Sequence, residues 1–166
     1  MTATMVRRLL IVAAVLVLGA VNWSIFAKER IKTNGDRIFL ALAPVDPRSL
    51  MQGDYMALRF EIANGMSTIS SGSAPLRVDS RGIATLDPNP SASGLRIRYR
   101  VRNGQVWLGT NAYFFEEGTA ERYQGARYGE FRIDRDSGEA VLVGLADKDL
   151  KTMSGPVAGP NADSSG

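Results

Sequence analysis

The feature that most constrains this chain is an uncharged apolar segment near its amino terminus, residues 9–27. Asn22 and Ser24 are the only polar side chains in the segment, and charged residues flank it on both sides. As a helix rising about 1.5 Å per residue it spans about 28 Å, close to the ~30 Å hydrocarbon thickness of a bilayer. Trp23 lies near one end, where interfacial aromatic rings are typical. The segment therefore predicts a membrane-spanning helix.

Two alternatives to an uncleaved anchor fit these residues less well. A cleaved signal peptide needs small residues at its cleavage site, whereas the sequence at residues 25–27 is Ile-Phe-Ala. A helix that packs on the core of a small domain shows a polar face toward water, whereas this segment has none and carries charge at both ends. Basic residues lie on both sides, so the charge rule alone does not orient the helix. Because the short basic start resembles a signal-anchor, we expect residues 1–8 in the cytoplasm and everything after Lys28 outside.

Two residue types that the chain lacks exclude several kinds of site. Without cysteine there is no disulfide, thiol nucleophile or thiolate metal site. Without histidine there is no Ser-His-Asp catalysis and no imidazole zinc site. We accordingly expect no metal and no cofactor. The net charge is +3, from 20 basic and 17 acidic residues without a block of like charges, so we expect no nucleic-acid binding.

The rest of the chain has the pattern of short strands joined by turns, because apolar and polar residues alternate over short runs. Strands are predicted over residues 37–43, 53–62, 76–79, 83–86, 95–101, 105–109, 111–115, 130–134 and 139–145. Asn103-Gly104 is a strong hairpin signal. Thr119 can cap a short helix over residues 120–128, whereas residues 63–74 fit either a helix or a loop.

These elements predict a mainly β fold, with α+β as the alternative. We expect a transmembrane helix followed by a small antiparallel sheet or partly closed barrel with one short helix. Residues 28–36 would form a polar stalk, residues 37–152 the folded domain, and residues 153–166 a disordered tail rich in Gly, Pro and Ser.

The first candidate site is the loop that leads into the strand at residue 55. Asp46-Pro47 and Gly53 predict two turns, because proline fixes φ and glycine adopts positive φ without strain. The alternation that follows places Met56, Leu58, Phe60 and Ile62 on one face. A polar binding site would then consist of Asp46, Arg48, Gly53, Asp54 and Tyr55. The alternative is a structural corner in which the two carboxylates accept bonds from turn amides.

Two further constellations are weaker candidates. Arg127, Tyr128 and Glu130 follow the paired acids Glu116 and Glu117 in an aromatic stretch, which fits a binding surface or a salt-bridged structural one. A second group of arginines shares one face of a predicted strand: Arg96, Arg98, Arg100 and Arg102. This face could bind acidic lipid headgroups or an anionic polymer. The alternative is a solvated face paired with acids such as Glu130 or Asp134.

One stretch invites an enzyme hypothesis. Residues 49–54, SLMQGD, are similar to the T-L-x-x-G-D corner of signal peptidases. That family's nucleophilic serine lies eight residues before the glycine, where this chain has Val45, and the lysine base has no evident counterpart. The resemblance therefore stops at a turn-to-strand geometry. An envelope hydrolase using Ser49 or paired carboxylates is the alternative to a non-catalytic domain.

A more extensive similarity starts at Gly53-Asp54-Tyr55-x-x-Leu58-x-Phe60. This sequence resembles the signature of the GDYXXLXY family of bacterial membrane-associated proteins, with Phe60 in place of the last tyrosine. The stretches LAPVDPRSLMQGDYM, YFFEEG, ARYGEFR and LVGLAD resemble members too, so the similarity covers most of residues 20–150. The family has no established activity, and its members tend to accompany multi-pass inner-membrane proteins.

The resemblance and the residues together predict the class of function. We expect a single-pass protein of the bacterial inner membrane with its carboxyl-terminal domain in the periplasm. It would be a non-catalytic binding or assembly module, and its partner would be a multi-pass inner-membrane protein. A lipid- or glycan-binding sheet is a further alternative.

Overall fold

A single long helix, α1 (Ala3–Asn34), carries the apolar segment. In the computed structural model, which describes residues 3–44, 51–52, 55–90 and 94–153, the stretch Met5–Asn34 is long and apolar enough to cross a membrane. None of its most apolar window is buried against the rest of the protein, and Leu16 and Phe26 are 68% and 66% exposed. Such exposure is costly in water and favourable in lipid, so the helix supports membrane association.

The helix continues beyond the apolar segment into the folded domain. Residues 28–34, expected as part of a stalk, form its last turns, and the first strand, β1 (Asp36–Ala41), begins two residues later. Ile31 is buried, and the Gly35 amide donates a hydrogen bond to the Ile31 carbonyl oxygen at 2.8 Å. A Cβ at Gly35 would lie 2.6 Å from that oxygen, which explains glycine here. The domain therefore follows the helix without a separate spacer.

Short strands and two 3₁₀ helices make up the rest of the described chain. The strands are β1, β2 (Met51–Gln52), β3 (Tyr55–Ala57), β4 (Gly72–Val78), β5 (Ala84–Leu86), β6 (Arg96–Arg102), β7 (Gln105–Trp107), β8 (Ala112–Phe114), β9 (Tyr128–Ile133) and β10 (Ala140–Ala146). The 3₁₀ helices are Glu61–Gly65 and Ala120–Tyr123. The expected fold class, one amino-terminal helix followed by antiparallel β structure, is confirmed.

The strands form three antiparallel sheets, one of them a curled half-barrel. Their orders are β1-β9-β10, β2-β3-β8 and β5-β4-β6-β7. Single bridges join the sheets: Phe39 pairs with Ile83 in parallel, and Leu42 pairs with Phe60 antiparallel. The predicted hairpin at Asn103-Gly104 is confirmed, with φ of 51° and 71° at the two turn residues.

One continuous core lies between the sheets. Its largest fully buried side chains are Phe131, Ile38, Leu40, Leu58, Ile97, Leu108, Ile133 and Leu145. The alternation predicted after residue 55 is confirmed, because Met56, Leu58, Phe60 and Ile62 are all buried. Burial of such side chains is the main favourable term in folding the domain.

Two predicted elements differ in the structure. The helix expected over residues 120–128 is only the 3₁₀ turn Ala120–Tyr123, and Thr119 does not cap it: its hydroxyl donates to the Glu116 carbonyl oxygen at 2.6 Å. The chain must re-enter the sheet at Tyr128, which leaves no room for an α-helix. The strand expected over residues 53–62 keeps its alternating burial but changes hydrogen-bond partner after Ala57, and the 3₁₀ helix Glu61–Gly65 follows.

Candidate functional site

Most of the first candidate site lies outside the described residues. This applies to Asp46, Arg48, Gly53 and Asp54, and also to Ser49, so both the polar-loop and the hydrolase hypotheses stay predictions there. Tyr55 is described and begins β3, and Leu58 and Phe60 of the signature follow directly after this strand. The geometry of the candidate site is therefore built from this strand and its neighbours.

Strand β3 has an inner and an outer face. It pairs antiparallel with β8, placing Tyr55 opposite Phe114 and Ala57 opposite Ala112. Directly opposed residues lie on the same side of a sheet, so these four residues form one surface, called here the Tyr55–Phe114 face. The two rings are 5.7 Å apart, and Phe114 is 73% exposed. The Met56 side chain points the other way, into the core.

A cleft of about 540 Å³ adjoins the Tyr55–Phe114 face. Tyr55 and Ala57 line one wall, Arg59 and Phe60 continue it, and Trp107 lies across the cleft after the Asn103-Gly104 turn. The volume is in the range of small-molecule sites, which are mostly apolar with a few polar groups. The cleft has such a lining: Tyr55 and Trp107 each contribute a half-buried aromatic ring, and Arg59 contributes an exposed guanidinium.

Asn111 is the polar side chain that organises the cleft floor. Its amide nitrogen donates to the Val106 carbonyl oxygen at 3.1 Å, and its backbone oxygen accepts from the Leu58 amide at 2.7 Å. Its side-chain oxygen is buried and finds no hydrogen-bond donor among the described residues. A buried acceptor without a donor costs about 1–3 kcal/mol, so Asn111 is the polar group whose role the internal bonds do not explain.

The second group of predicted residues lies elsewhere. Glu130 in β9 is 6% exposed, and its two carboxylate oxygens bind Arg37 Nε at 2.7 Å and Thr152 Oγ1 at 2.6 Å. Arg127 is exposed and Tyr128 half-buried, and neither they nor Glu130 line the cleft. The structure thus separates this group from Tyr55, and it engages both oxygens of Glu130 within the fold.

The aromatic stretch around residue 115 is mainly packing. The ring of Tyr123, which is buried, lies 5.2 Å from the Tyr113 ring and 5.3 Å from the Phe115 ring. Burial, together with the hydrogen bond to Tyr123, raises the pKa of Tyr113 to about 12. Glu116 and Glu117 are both exposed. In the part of the chain that the structure describes, no acidic cluster of three or more has the arrangement of a metal site.

The arginine face of β6 is present as predicted, but its expected acid partners are not. Ile97 and Tyr99 are buried, whereas the arginines at positions 96, 98, 100 and 102 are all exposed on the opposite side. Glu130 is held by Arg37, and Asp134 accepts hydrogen bonds from Ser137, which lower the pKa of the Asp134 carboxyl. Across the described residues, no carboxylate lies within ion-pair distance of these four guanidinium groups.

Three residues of the candidate site were missed in the sequence: Phe114, Trp107 and Asn111. Phe114 follows Tyr113 in an aromatic run, and alternation indicates that one ring points outward, but it does not indicate which strand lies beside it. Trp107 follows a recognised hairpin turn, which was the available signal for its position.

A helix long and apolar enough to span a membrane, followed by antiparallel sheets, defines the class: a mostly β domain attached to a candidate membrane-spanning helix. A family model described as GDYXXLXY protein matches residues 17–145, and the chain belongs to the GDYXXLXY family. No curated protein and no solved structure matches the chain.

Proposed function

We propose that this protein is a non-catalytic binding or assembly module of the bacterial inner membrane, with its folded domain in the periplasm and a multi-pass inner-membrane protein as its partner. The observation that carries the proposal is the Tyr55–Phe114 face. The family signature places its alternate residues in the core and, on the other side, a tyrosine that lines a cleft and lies beside a 73%-exposed phenylalanine.

The exposed ring is the energetic argument for a contact surface. Burying a phenylalanine side chain completely is worth about 1.5–3 kcal/mol, and a water-exposed ring forgoes most of that gain. Aromatic residues beside a pocket are typical of the few residues that dominate binding energy. Tyr55 and Trp107 flank the same cleft, so a partner side chain inserted there would meet aromatic surface from both sides.

The helix supports a partner within the membrane. Because α1 runs directly into β1, the domain is held next to the bilayer, where membrane proteins are the nearest partners. Asn22 and Gly19 lie three residues apart on one side of the helix. The Asn22 amide nitrogen donates to the Leu18 carbonyl oxygen at 2.9 Å, which leaves its side-chain oxygen for a neighbouring helix. Small and amide-bearing residues are enriched where membrane helices pack.

Affinity capture of the full chain from gently solubilised membranes tests this proposal. We expect wild type to recover a multi-pass membrane protein and Phe114→Ser to recover at least tenfold less, since about 1.4 kcal/mol of binding energy corresponds to a factor of ten. Val78→Ser is the matched control, because Val78 is also an exposed apolar strand residue but lies in β4, outside the Tyr55–Phe114 face.

Two results would contradict the proposal. One is that the Phe114→Ser and Val78→Ser variants both recover as much membrane protein as the wild type does. The other is wild type that repeatedly recovers no membrane protein. Unchanged near-ultraviolet circular dichroism of both variants shows that a loss of capture does not come from misfolding.

A further inference from the structure

The exposed side of β6 forms a basic groove next to the point where the helix leaves the apolar segment. The groove has a volume of about 220 Å³, and its charged or aromatic lining residues are Lys28, Arg98, Arg100, Arg102, Trp107 and Glu139. Four of these are cations and one is an anion. We call it the arginine groove.

Contacts with the helix fix the depth of the arginine groove. Lys28 is the first charged residue after the apolar segment, and its amine bonds Glu139 Oε1 at 2.7 Å. Ile31, one turn further, is already buried against the domain and lies only about 4.5 Å higher along the helix axis. The polar layer of a bilayer leaflet is about 5–8 Å thick. The groove that Lys28 lines therefore lies at the level of the lipid headgroups.

The charge balance of the arginine groove favours an anion. Glu139 is neutralised by Lys28, and Arg102 lies over the Trp107 ring at 5.5 Å. Arg98 and Arg100 form no ion pair with any carboxylate of the described chain. Guanidinium groups bind phosphate oxygens in a bidentate manner, and long arginine side chains extend readily to a headgroup layer.

We propose that the arginine groove binds the phosphate of anionic phospholipid headgroups in the leaflet on the domain's side of the membrane, and so fixes the orientation of the domain on the bilayer. Trp107 lines both this groove and the cleft beside the Tyr55–Phe114 face, but Arg98 and Arg100 line the groove and not the cleft, so the lipid contact does not depend on the proposed partner. A lipid is favoured over a soluble anionic polymer because the helix holds the groove permanently at headgroup depth.

Trp107 gives a direct readout, since it lines the groove. The chain has two tryptophans, so a Trp23→Phe background leaves Trp107 as the only indole. The full chain is placed in nanodiscs of phosphatidylcholine containing increasing fractions of phosphatidylglycerol, with a trace of lipid that carries a nitroxide on its headgroup. We expect quenching of Trp107 fluorescence to rise with the phosphatidylglycerol fraction and to weaken at high salt, which screens charges.

The matched variants carry the same loss of charge. Arg98→Gln/Arg100→Gln should lower the association constant derived from the quenching curve about 25-fold, at about fivefold for each arginine near an anionic surface. Arg77→Gln/Arg122→Gln removes two exposed arginines that do not line the groove and should leave the curve unchanged. Equal tryptophan emission in neutral detergent shows that the variants are folded.

Four outcomes would overturn the proposal. Quenching could be the same with and without phosphatidylglycerol, or the two double variants could give the same curve. Soluble heparin, but not phosphatidylglycerol, could protect Trp107 from acrylamide, which would indicate an anionic polymer. Competition by millimolar inorganic phosphate as strong as that by the lipid would overturn the lipid as the source of the phosphate.

Discussion

Replacing Glu130 by glutamine should destabilise the domain without weakening its binding to a partner. The Glu130 side chain is buried, and its carboxylate joins three parts of the chain: β9, Arg37 of β1, and Thr152 after β10. Arg37 also donates to Thr152 Oγ1 at 3.1 Å, so the three side chains form a closed set. Glutamine keeps the shape and one acceptor but loses the charge that Arg37 faces.

The size of the expected stability loss follows from the strength of the Glu130–Arg37 ion pair and from the exposure of its two side chains. A hydrogen bond to a charged group is worth about 1.5–3 kcal/mol. Because the Arg37 side chain is 46% exposed, solvent screens the pair and about half of that value applies. The Thr152 hydroxyl can still donate to the glutamine oxygen, so that bond persists. We expect a loss of about 0.8–1.5 kcal/mol in the free energy of unfolding, or roughly 3–8 °C in Tm.

Thermal unfolding of the full chain in a mild detergent, followed by near-ultraviolet circular dichroism, measures this loss. Glu117→Gln is the matched control, since Glu117 is exposed, and it should change stability by less than about 0.5 kcal/mol. Equal Tm values for Glu130→Gln and wild type would refute the structural role. A loss of membrane-protein capture at unchanged Tm would instead place Glu130 in a binding site.

Two further predictions concern the core and the half-buried Tyr113. Gly129→Ala should destabilise the domain by about 1–3 kcal/mol in urea unfolding, because its Cβ would lie 2.7 Å from Phe60 Cε1 in a packed core. Gly125→Ala is the control and should be nearly neutral, since its Cβ would meet only Met153 at 3.8 Å. Equal losses of stability in the two variants would contradict this prediction. Tyr113, with its pKa raised to about 12, should give a late step in an absorbance titration at alkaline pH, and Tyr113→Phe should remove that step. The stability that its neutral form contributes is fully present below pH ~10 and is lost as the pH rises toward 12, so a titration without a late step would refute the assignment.

Local patterns predicted much of the fold. Alternation identified the buried set Met56, Leu58, Phe60 and Ile62, and it identified which side of β6 carries arginines. The uncharged segment predicted the helix that could span a membrane, and Asn103-Gly104 predicted a hairpin. Each of these signals depends on residues close in sequence, which is why the sequence was sufficient.

The remainder depends on contacts between distant residues. Alternation shows which face of a strand is buried but not which strand lies beside it, so the pairing of Tyr55 with Phe114 and the cleft beside Trp107 were not predictable. The bonds of Glu130 to Arg37 and Thr152 cross long stretches of chain. The continuation of α1 through residues 28–34 was missed because a charged, polar run resembles a stalk, whereas the burial of Ile31 against the sheets stabilises it as helix.

The central claim is that the Tyr55–Phe114 face contacts a protein of the membrane. Its most direct test is a photoreactive amino acid placed at position 114, irradiated in intact membranes, with the same group at position 78 as control. We predict a crosslinked adduct with a multi-pass membrane protein from position 114 and none from position 78. No adduct at position 114, or the same adduct from both positions, would contradict the claim.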